Sequence, residues 1–128
     1  MFGGNSNWRC PVWMPVNYLF INALKTFGFF YKDDLKVECP VGSGKYLSLA
    51  EVSKNITARL LHIFEKNETN ERPCNGEYNW FYKKDENKDL VLFNEYFHGN
   101  TLRGLGASHQ TGWTALIANL ILDLKEDK

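Results

Sequence analysis

Residues 93–113, FNEYFHGNTLRGLGASHQTGW, contain one carboxylate, two histidines and four glycines just ahead of the last apolar segment of the chain. Glycine and polar side chains at this density favour turns over a helix or a long strand. Ordering such a segment costs conformational entropy, so we expect its side chains to line a site. The fold therefore depends on how this loop meets the helices around it.

Composition describes a globular chain without a charge bias. Of the 128 residues, 44% are hydrophobic and 15% aromatic, which is enough for one unit with a modest core. Fifteen basic and fifteen acidic residues are intermixed and give a net charge of zero, which argues against nucleic acid or an acidic membrane surface as a partner. Apolar runs such as residues 115–122 are too short to cross a bilayer, and no signal-peptide pattern follows Met1. Nothing directs secretion, and a cytoplasmic location is favoured.

Three amphipathic helices are predicted from apolar residues spaced three and four apart. They cover residues 15–28, where Pro15 suits a helix start and Gly28 a helix end, residues 48–66, which open with the capping box Ser48-Leu-Ala-Glu51, and residues 113–125. The residues expected to face inward are Val16, Leu19, Phe20, Ala23, Leu24 and Phe27 in the first helix, Leu49, Val52, Ile56, Leu60, Ile63 and Phe64 in the second, and Leu116, Ile117, Leu120, Ile121 and Leu124 in the third.

The connections between these helices are long. Residues 67–88 are too polar for a helix, and the alternation of Tyr78, Trp80 and Tyr82 predicts a strand in a short surface hairpin. Connections of about twenty residues exceed those of a compact three-helix bundle, so the chain is expected to be part of something larger. The loops before the first and last helices both precede helix N-termini, and we expect them to gather around one pocket.

Two stretches carry a resemblance to a known family. Residues 3–19, GGNSNWRCPVWMPVNYL, and residues 94–121, NEYFHGNTLRGLGASHQTGWTALIANLI, resemble the C-terminal motifs of glycoside hydrolase family 63. The likeness is to the microbial mannosylglycerate and glucosylglycerate hydrolases and the mannosyl-oligosaccharide glucosidase-related branch, and more distantly to trehalases. It implies an all-α fold in which residues 1–128 form a single partial domain, the C-terminal segment of an (α/α)6 toroid whose N-terminal part is missing.

The same resemblance implies an inverting α-glycosidase, of α-glucosidase type, that acts on an oligosaccharide or small glycoside without a cofactor. Such enzymes use two carboxyl groups about 6.5 to 9.5 Å apart, one as general acid and one as general base. The family places the base at Glu95, which must be ionised, and suggests that Gln110 helps to position the attacking water. The family's general acid, an upstream aspartate, has no counterpart here. The isolated chain is therefore expected to be inactive.

The remaining candidate residues would bind substrate. Flat apolar rings suit stacking on sugar C–H groups, and amides, guanidinium groups and imidazoles can bind hydroxyls. The substrate-binding candidates are Trp8, Trp13, Arg9, Asn5, Asn7, Tyr96, His98 and His109. Structural roles compete, because a tryptophan near a helix start can belong to the core and Arg9 can bond loop carbonyls. The two histidines lie eleven residues apart without a further ligand in register, so no metal site is expected.

Two positions depart from the family pattern. Cys10 replaces a glycine of the tryptophan loop, so strain is expected there if the position needs positive φ. Leu102 stands where small residues are usual, which leaves the geometry of its turn open. Cys10, Cys39 and Cys74 are widely spaced and are interpreted as free thiols. Two other functional classes stay open at this stage: a non-catalytic carbohydrate-binding module, and a relic fragment with a purely structural role.

Overall fold

The structure is a computed structural model, and it describes residues 11–126. Three longer helices are joined by short helical turns and by two hairpins of very short strands. The elements in chain order are α1 (Met14–Tyr31), a 3-10 turn (Lys32–Asp34), β1 (Lys36–Glu38), β2 (Tyr46–Ser48), α2 (Leu49–Leu61), a 3-10 segment (Pro73–Tyr78), α3 (Asn79–Tyr82), β3 (Tyr96–Phe97), β4 (Gly104–Leu105), α4 (Thr111–Thr114) and α5 (Leu116–Glu126).

Helices α1, α2 and α5 pack on one another, and each sheet is an antiparallel pair, β1 with β2 and β3 with β4. The core lies between the three helices, and the β3–β4 hairpin covers one side of it. Its buried members are Met14, Ile21, Leu60, Ile63, Cys74, Phe97, Ile117 and Leu120. The fold is thus broadly helical, as expected, and Phe97 is the side chain by which the loop before the last helices enters the core.

Helix α1 buries a different face from the one predicted. Leu19, Phe20 and Phe27, expected inside, are 69%, 54% and 54% exposed. The buried residues are Met14, Ile21 and Gly28, which recur every seven positions on the side facing the other helices. Periodicity alone cannot choose between two faces of a helix that is apolar on both, and here the pattern indicated the wrong one.

Gly28 does not end α1, which continues to Tyr31. A Cβ at this glycine would lie 2.8 Å from the backbone nitrogen of Ala50 at the start of α2. The glycine therefore permits close packing of the two helices, and the expected helix stop was wrong. The chain turns instead at Lys32, which has φ of 48°.

Helix α2 follows the prediction closely at its start. The Ser48 side chain accepts from the backbone N–H of Glu51, and the Glu51 carboxylate accepts from the backbone N–H of Ser48, so the capping box is formed. The helix ends at Leu61, five residues before the predicted end, yet Ile63 in the following turn is fully buried. The apolar pattern continued because the turn still packs on the core.

The last predicted helix is two helices. Ala115 separates α4 from α5, and Ile117 and Leu120 are buried as expected. Ile121, expected inside, is instead 40% exposed.

The hairpin predicted around Tyr78–Tyr82 is absent. These residues form the end of a 3-10 segment and helix α3, and Asn79 ties them together by accepting from the Arg72 backbone N–H and donating to the Gly76 carbonyl. Hairpins form at residues 36–48 and 96–105 instead. In residues 11–126, no helix is long and apolar enough to span a membrane.

Candidate functional site

The loop before the last helices forms a three-stranded arrangement with the segment ahead of α1. Strand β3 pairs with β4. On the other side of β3, Phe97 and Val12 exchange two backbone hydrogen bonds, with nitrogen-to-oxygen distances of 2.8 and 3.0 Å. The two loops that carry the family motifs are therefore neighbours, although they are some eighty residues apart in sequence. The hairpin ladder continues beyond the strands, because His98 pairs with Arg103 and Glu95 pairs with Ala107.

Glu95 is half-buried and lies where this ladder is interrupted. Its backbone N–H donates to the Ala107 carbonyl at 2.9 Å, and its side-chain Oε2 accepts from the Ala107 N–H at 2.9 Å. Within residues 11–126, its Oε1 accepts no hydrogen bond. One carboxylate oxygen is thus fixed by the backbone while the other is available to a ligand or to water.

Gln110 closes the same loop. Its backbone N–H donates to the carbonyl of Phe93 at 2.6 Å, and it is the residue that precedes α4. Its side-chain amide has no hydrogen-bond partner in the described part of the chain. Two backbone hydrogen bonds, from Gln110 to Phe93 and from Glu95 to Ala107, therefore hold Glu95 and Gln110 on one loop. Within the described residues, Glu95 Oε1 and the Gln110 side-chain amide remain without a hydrogen-bond partner.

Trp13 belongs to an aromatic cluster. Its ring centroid lies 4.6 Å from that of Tyr96 and 5.5 Å from that of Trp113, and the side chain is only 6% exposed. Tyr96 itself is half-buried. This placement favours the structural alternative for Trp13, since little of its ring remains open to a sugar, and it adds an aromatic contact between the two stretches to the Val12–Phe97 hydrogen bonds.

The two histidines shape turns. His98 Nδ1 accepts from the backbone N–H groups of Asn100 and Thr101 at 3.2 and 3.3 Å. His109 Nδ1 accepts from the backbone N–H of Phe93 at 3.3 Å, and its ring stacks on that of Phe93. Each of these nitrogens carries a lone pair and acts as an acceptor, so both imidazoles hold the loop in shape. No group of three or more metal-ligating side chains occurs among the residues the structure describes.

Leu102 adopts positive φ, 62°, at the tip of the hairpin. The resemblance puts a small residue at this position, and the left-handed region is disfavoured for a branched side chain. Its N–H donates to the His98 carbonyl at 2.8 Å, and its side chain packs against the core. Burial of the leucine offsets the backbone cost.

Sequence reasoning missed three residues that support Glu95. Thr114, fully buried, donates its hydroxyl to the Asn94 carbonyl and so ties α4 to the residue before Glu95. A Cβ at Gly104 would overlap Asn94 Oδ1, and a Cβ at Gly106 would lie 2.5 Å from Glu95 Oε2. Turns with positive φ or close packing are the expected roles of both glycines, but nothing in the sequence shows which side chain each one accommodates.

Two surface clefts lie near this loop, and neither includes Glu95. The larger, about 770 Å³, runs between α1, α2 and the hairpin tip, with Phe20, Ile56 and Leu102 among its lining residues. The smaller, about 440 Å³, is lined by Gly76, Glu77, His98, Thr101 and Arg103, and Arg103 pairs with Glu77 across it at 3.0 Å. Of the predicted site residues that lie within residues 11–126, His98 alone borders one of these two clefts. The candidates Asn5, Asn7, Trp8 and Arg9, together with Cys10, lie outside the described residues.

Comparison with known proteins gives two relatives, both from Saccharomyces cerevisiae. The chain is 52% identical over 126 residues to the uncharacterized protein YMR196W, a match that covers 97% of this chain and 12% of that protein. It is 27% identical over 127 residues to a mannosyl-oligosaccharide glucosidase, a match that covers 94% of this chain and 11% of that protein. The chain thus spans about a tenth of the length of the relatives it matches. No family model and no solved structure matches it.

Proposed function

We propose that this chain is the base-bearing catalytic segment of an inverting α-glycosidase of glycoside hydrolase family 63. The observation that carries the proposal is the geometry of Glu95, whose Oε2 is held by a backbone N–H while Oε1 accepts nothing from the described residues. Similarity to a protein named as a mannosyl-oligosaccharide glucosidase supports the reaction class.

Glu95 would act as the general base. Its Oε1 takes a proton from water as the water oxygen forms a bond to the anomeric carbon, and the glycosidic carbon–oxygen bond breaks on the opposite face. The leaving oxygen takes its proton from a carboxylic acid supplied outside this chain. Gln110, on the same loop and with a free amide, would hold the water, since an amide both accepts and donates hydrogen bonds.

The outer face of α1 supports membership of a larger helical domain, an (α/α)6 toroid in the proposal. Helices that are apolar on both sides belong in the interior of larger folds. The α1 outer face consists of Val16, Leu19, Phe20, Ala23, Phe27 and Phe30, and all of these are exposed. The two relatives are about nine times longer than this chain. In a protein of that length, helices from the rest of the domain would cover the α1 outer face and would supply the general acid.

The test is a chimera in which this chain replaces the matched segment of YMR196W, assayed on a panel of α-glucosides and α-mannosides. We expect turnover that Glu95→Gln lowers about 10²- to 10⁴-fold, the range for a general base. Glu68→Gln, at an exposed glutamate of a distant turn, is the matched control and should leave turnover unchanged. Turnover that survives Glu95→Gln would show that another residue is the base, and sugar binding without any turnover would favour the carbohydrate-binding module.

A second test concerns the isolated chain. We expect the isolated chain to show no glycosidase activity. We also expect it to self-associate through the α1 outer face, because large exposed apolar patches drive association. Leu19→Glu with Phe27→Glu should yield a monomer by light scattering. Val41→Glu is the control, since Val41 is 91% exposed but lies in the β1–β2 loop, and it should not change the association. A monomeric unsubstituted chain would contradict the larger-domain part of the proposal.

A further inference from the structure

The β3–β4 hairpin contains one residue too many on its second strand. Tyr96 pairs with Leu105 and Phe97 with Gly104, so strict alternation would pair Glu95 with Gly106. Instead, the backbone N–H of Glu95 donates to the carbonyl of Ala107. Gly106 is therefore an extra residue, a β-bulge, and its φ of +71° is the left-handed conformation that such a bulge takes at glycine. Bulges of this kind re-aim neighbouring side chains.

The bulge brings the backbone directly against the Glu95 side chain. A Cβ at Gly106 would lie 2.5 Å from Glu95 Oε2, 2.7 Å from Tyr96 Cε1 and 2.9 Å from Glu95 Cβ. Real Cβ atoms essentially never come this close, so any larger residue at this position would have to displace the Glu95 or the Tyr96 side chain. At the bulge, the Ala107 N–H does not join the backbone ladder. It donates instead to Oε2 of Glu95 at 2.9 Å.

We propose that Gly106 is a positioning residue that fixes the Glu95 carboxylate and assigns different tasks to its two oxygens. Oε2 is the anchored oxygen, held by the Ala107 N–H, and Oε1 is the oxygen that receives the proton from water. The inference rests on the proposed function, and it deepens that function by naming the atom that acts and the backbone feature that aims it. A carboxylate free to rotate would present either oxygen and would lose the orientation that makes a base effective.

The matched control is Gly44. Its φ is also +71°, in the loop between β1 and β2, and a Cβ there would meet nothing within 4 Å. Gly44→Ala therefore introduces the same backbone strain as Gly106→Ala without touching Glu95. Any difference between the two variants reports the contact with the carboxylate and not the loss of a left-handed glycine.

The first experiment uses the 128-residue chain labelled with [15N]alanine, carrying Leu19→Glu and Phe27→Glu if it associates. The unsubstituted chain shows six alanine amides, those of residues 23, 50, 58, 107, 115 and 118, and each alanine variant adds one further resonance. We expect the Ala107 amide resonance to move in Glu95→Ala and in Gly106→Ala, with the other five unchanged, and to stay in place in Gly44→Ala. Because residue 106 adjoins Ala107 in the chain, Glu95→Ala is the deciding variant, and an Ala107 resonance that it leaves in place would overturn the inference.

The second experiment measures kinetics in the chimera described above. Gly106→Ala should lower kcat by about tenfold or more with KM little changed, because misplacing a catalytic group by about 1 Å costs up to about 10²-fold. Gly44→Ala should remain close to the unsubstituted chimera. If the chimera is active and the two variants have the same kcat, the inference about Gly106 is overturned but the proposed function is not. A chimera without any turnover would count against the proposed function. The alanine resonances would then still test whether the Ala107 N–H contacts Glu95.

Discussion

The two hairpins of this chain use glycine for different purposes. In the β1–β2 hairpin, Gly42 and Gly44 have positive φ and a Cβ built at either would meet nothing within 4 Å, so they turn the chain without packing against a side chain. In the β3–β4 hairpin, Gly104 and Gly106 lie against Asn94 and Glu95. The first hairpin is an exposed connection, while the second places Phe97 in the core and holds the candidate base. Glycines that look alike in the sequence therefore have different roles, because only in the second hairpin does the absence of a Cβ leave room for neighbouring side chains.

The largest expected difference between the hairpins is in core packing. Phe97→Ala should lower the free energy of unfolding by about 3–5 kcal/mol, because Phe97 is fully buried and its loss leaves a cavity. Val37→Ala in β1 should cost less than about 1 kcal/mol, since Val37 is 37% exposed. Urea denaturation of both variants measures the difference. Equal losses would show that the two hairpins contribute equally to the core.

The next difference concerns space at the glycines. Gly104→Ala should lower the free energy of unfolding by about 3 kcal/mol, since the added Cβ overlaps the Asn94 side chain and the hairpin must shift. Gly44→Ala should cost about 1 kcal/mol, the strain of a side chain at positive φ alone. Thermal melts compare the two variants. A smaller loss at Gly104 would mean that Asn94 moves aside freely.

A smaller effect is expected at the hydroxyl that anchors the second hairpin to α4. Thr114→Val keeps the shape of the side chain but removes the hydrogen bond to the Asn94 carbonyl, and it should cost about 1–2 kcal/mol by leaving that carbonyl unsatisfied. In the chimera it should also lower kcat, because Asn94 precedes Glu95. Ser48→Ala, which breaks the capping box beside the first hairpin, should cost about 1 kcal/mol and leave kcat unchanged. Parallel losses of kcat in both variants would argue against a special role for the second hairpin.

The smallest effect is a local response to acid in the first hairpin. Hydrogen bonds from the backbone N–H groups of Gly44 and Gly42 hold the pKa of Glu38 below its usual value. Because the folded-state pKa is depressed, the stabilisation is present above the unfolded pKa and is lost as the pH falls through the folded one. Between about pH 6 and pH 3 the Gly44 amide resonance should therefore move, and Glu38→Gln should remove this movement. An unchanged Gly44 resonance would show that the contact does not persist in solution.

Much of the helical framework could be predicted from local sequence. The Ser48–Glu51 capping box, the apolar spacing of α2 and the proline at the start of α1 depend on contacts within a few residues, and each is present in the structure. The prediction was wrong where a choice depended on distant partners. The inward face of α1, the role of Gly28 and the break at Ala115 are set by packing between α1, α2 and α5, which no local pattern contains.

The candidate site divides in the same way. The sequence by itself indicated a loop rich in glycine with a single carboxylate at Glu95, and it marked Leu102 as a departure from the family pattern at a turn. Only the tertiary structure decided that Val12 pairs with Phe97, that Trp13 is buried between Tyr96 and Trp113, and that a bulge at Gly106 turns the Ala107 N–H to Glu95. The physical reason is range: turn and helix propensities act between near neighbours, whereas the aim of one carboxylate oxygen depends on strand register, and that register is fixed by burial of Phe97 against helices distant in sequence.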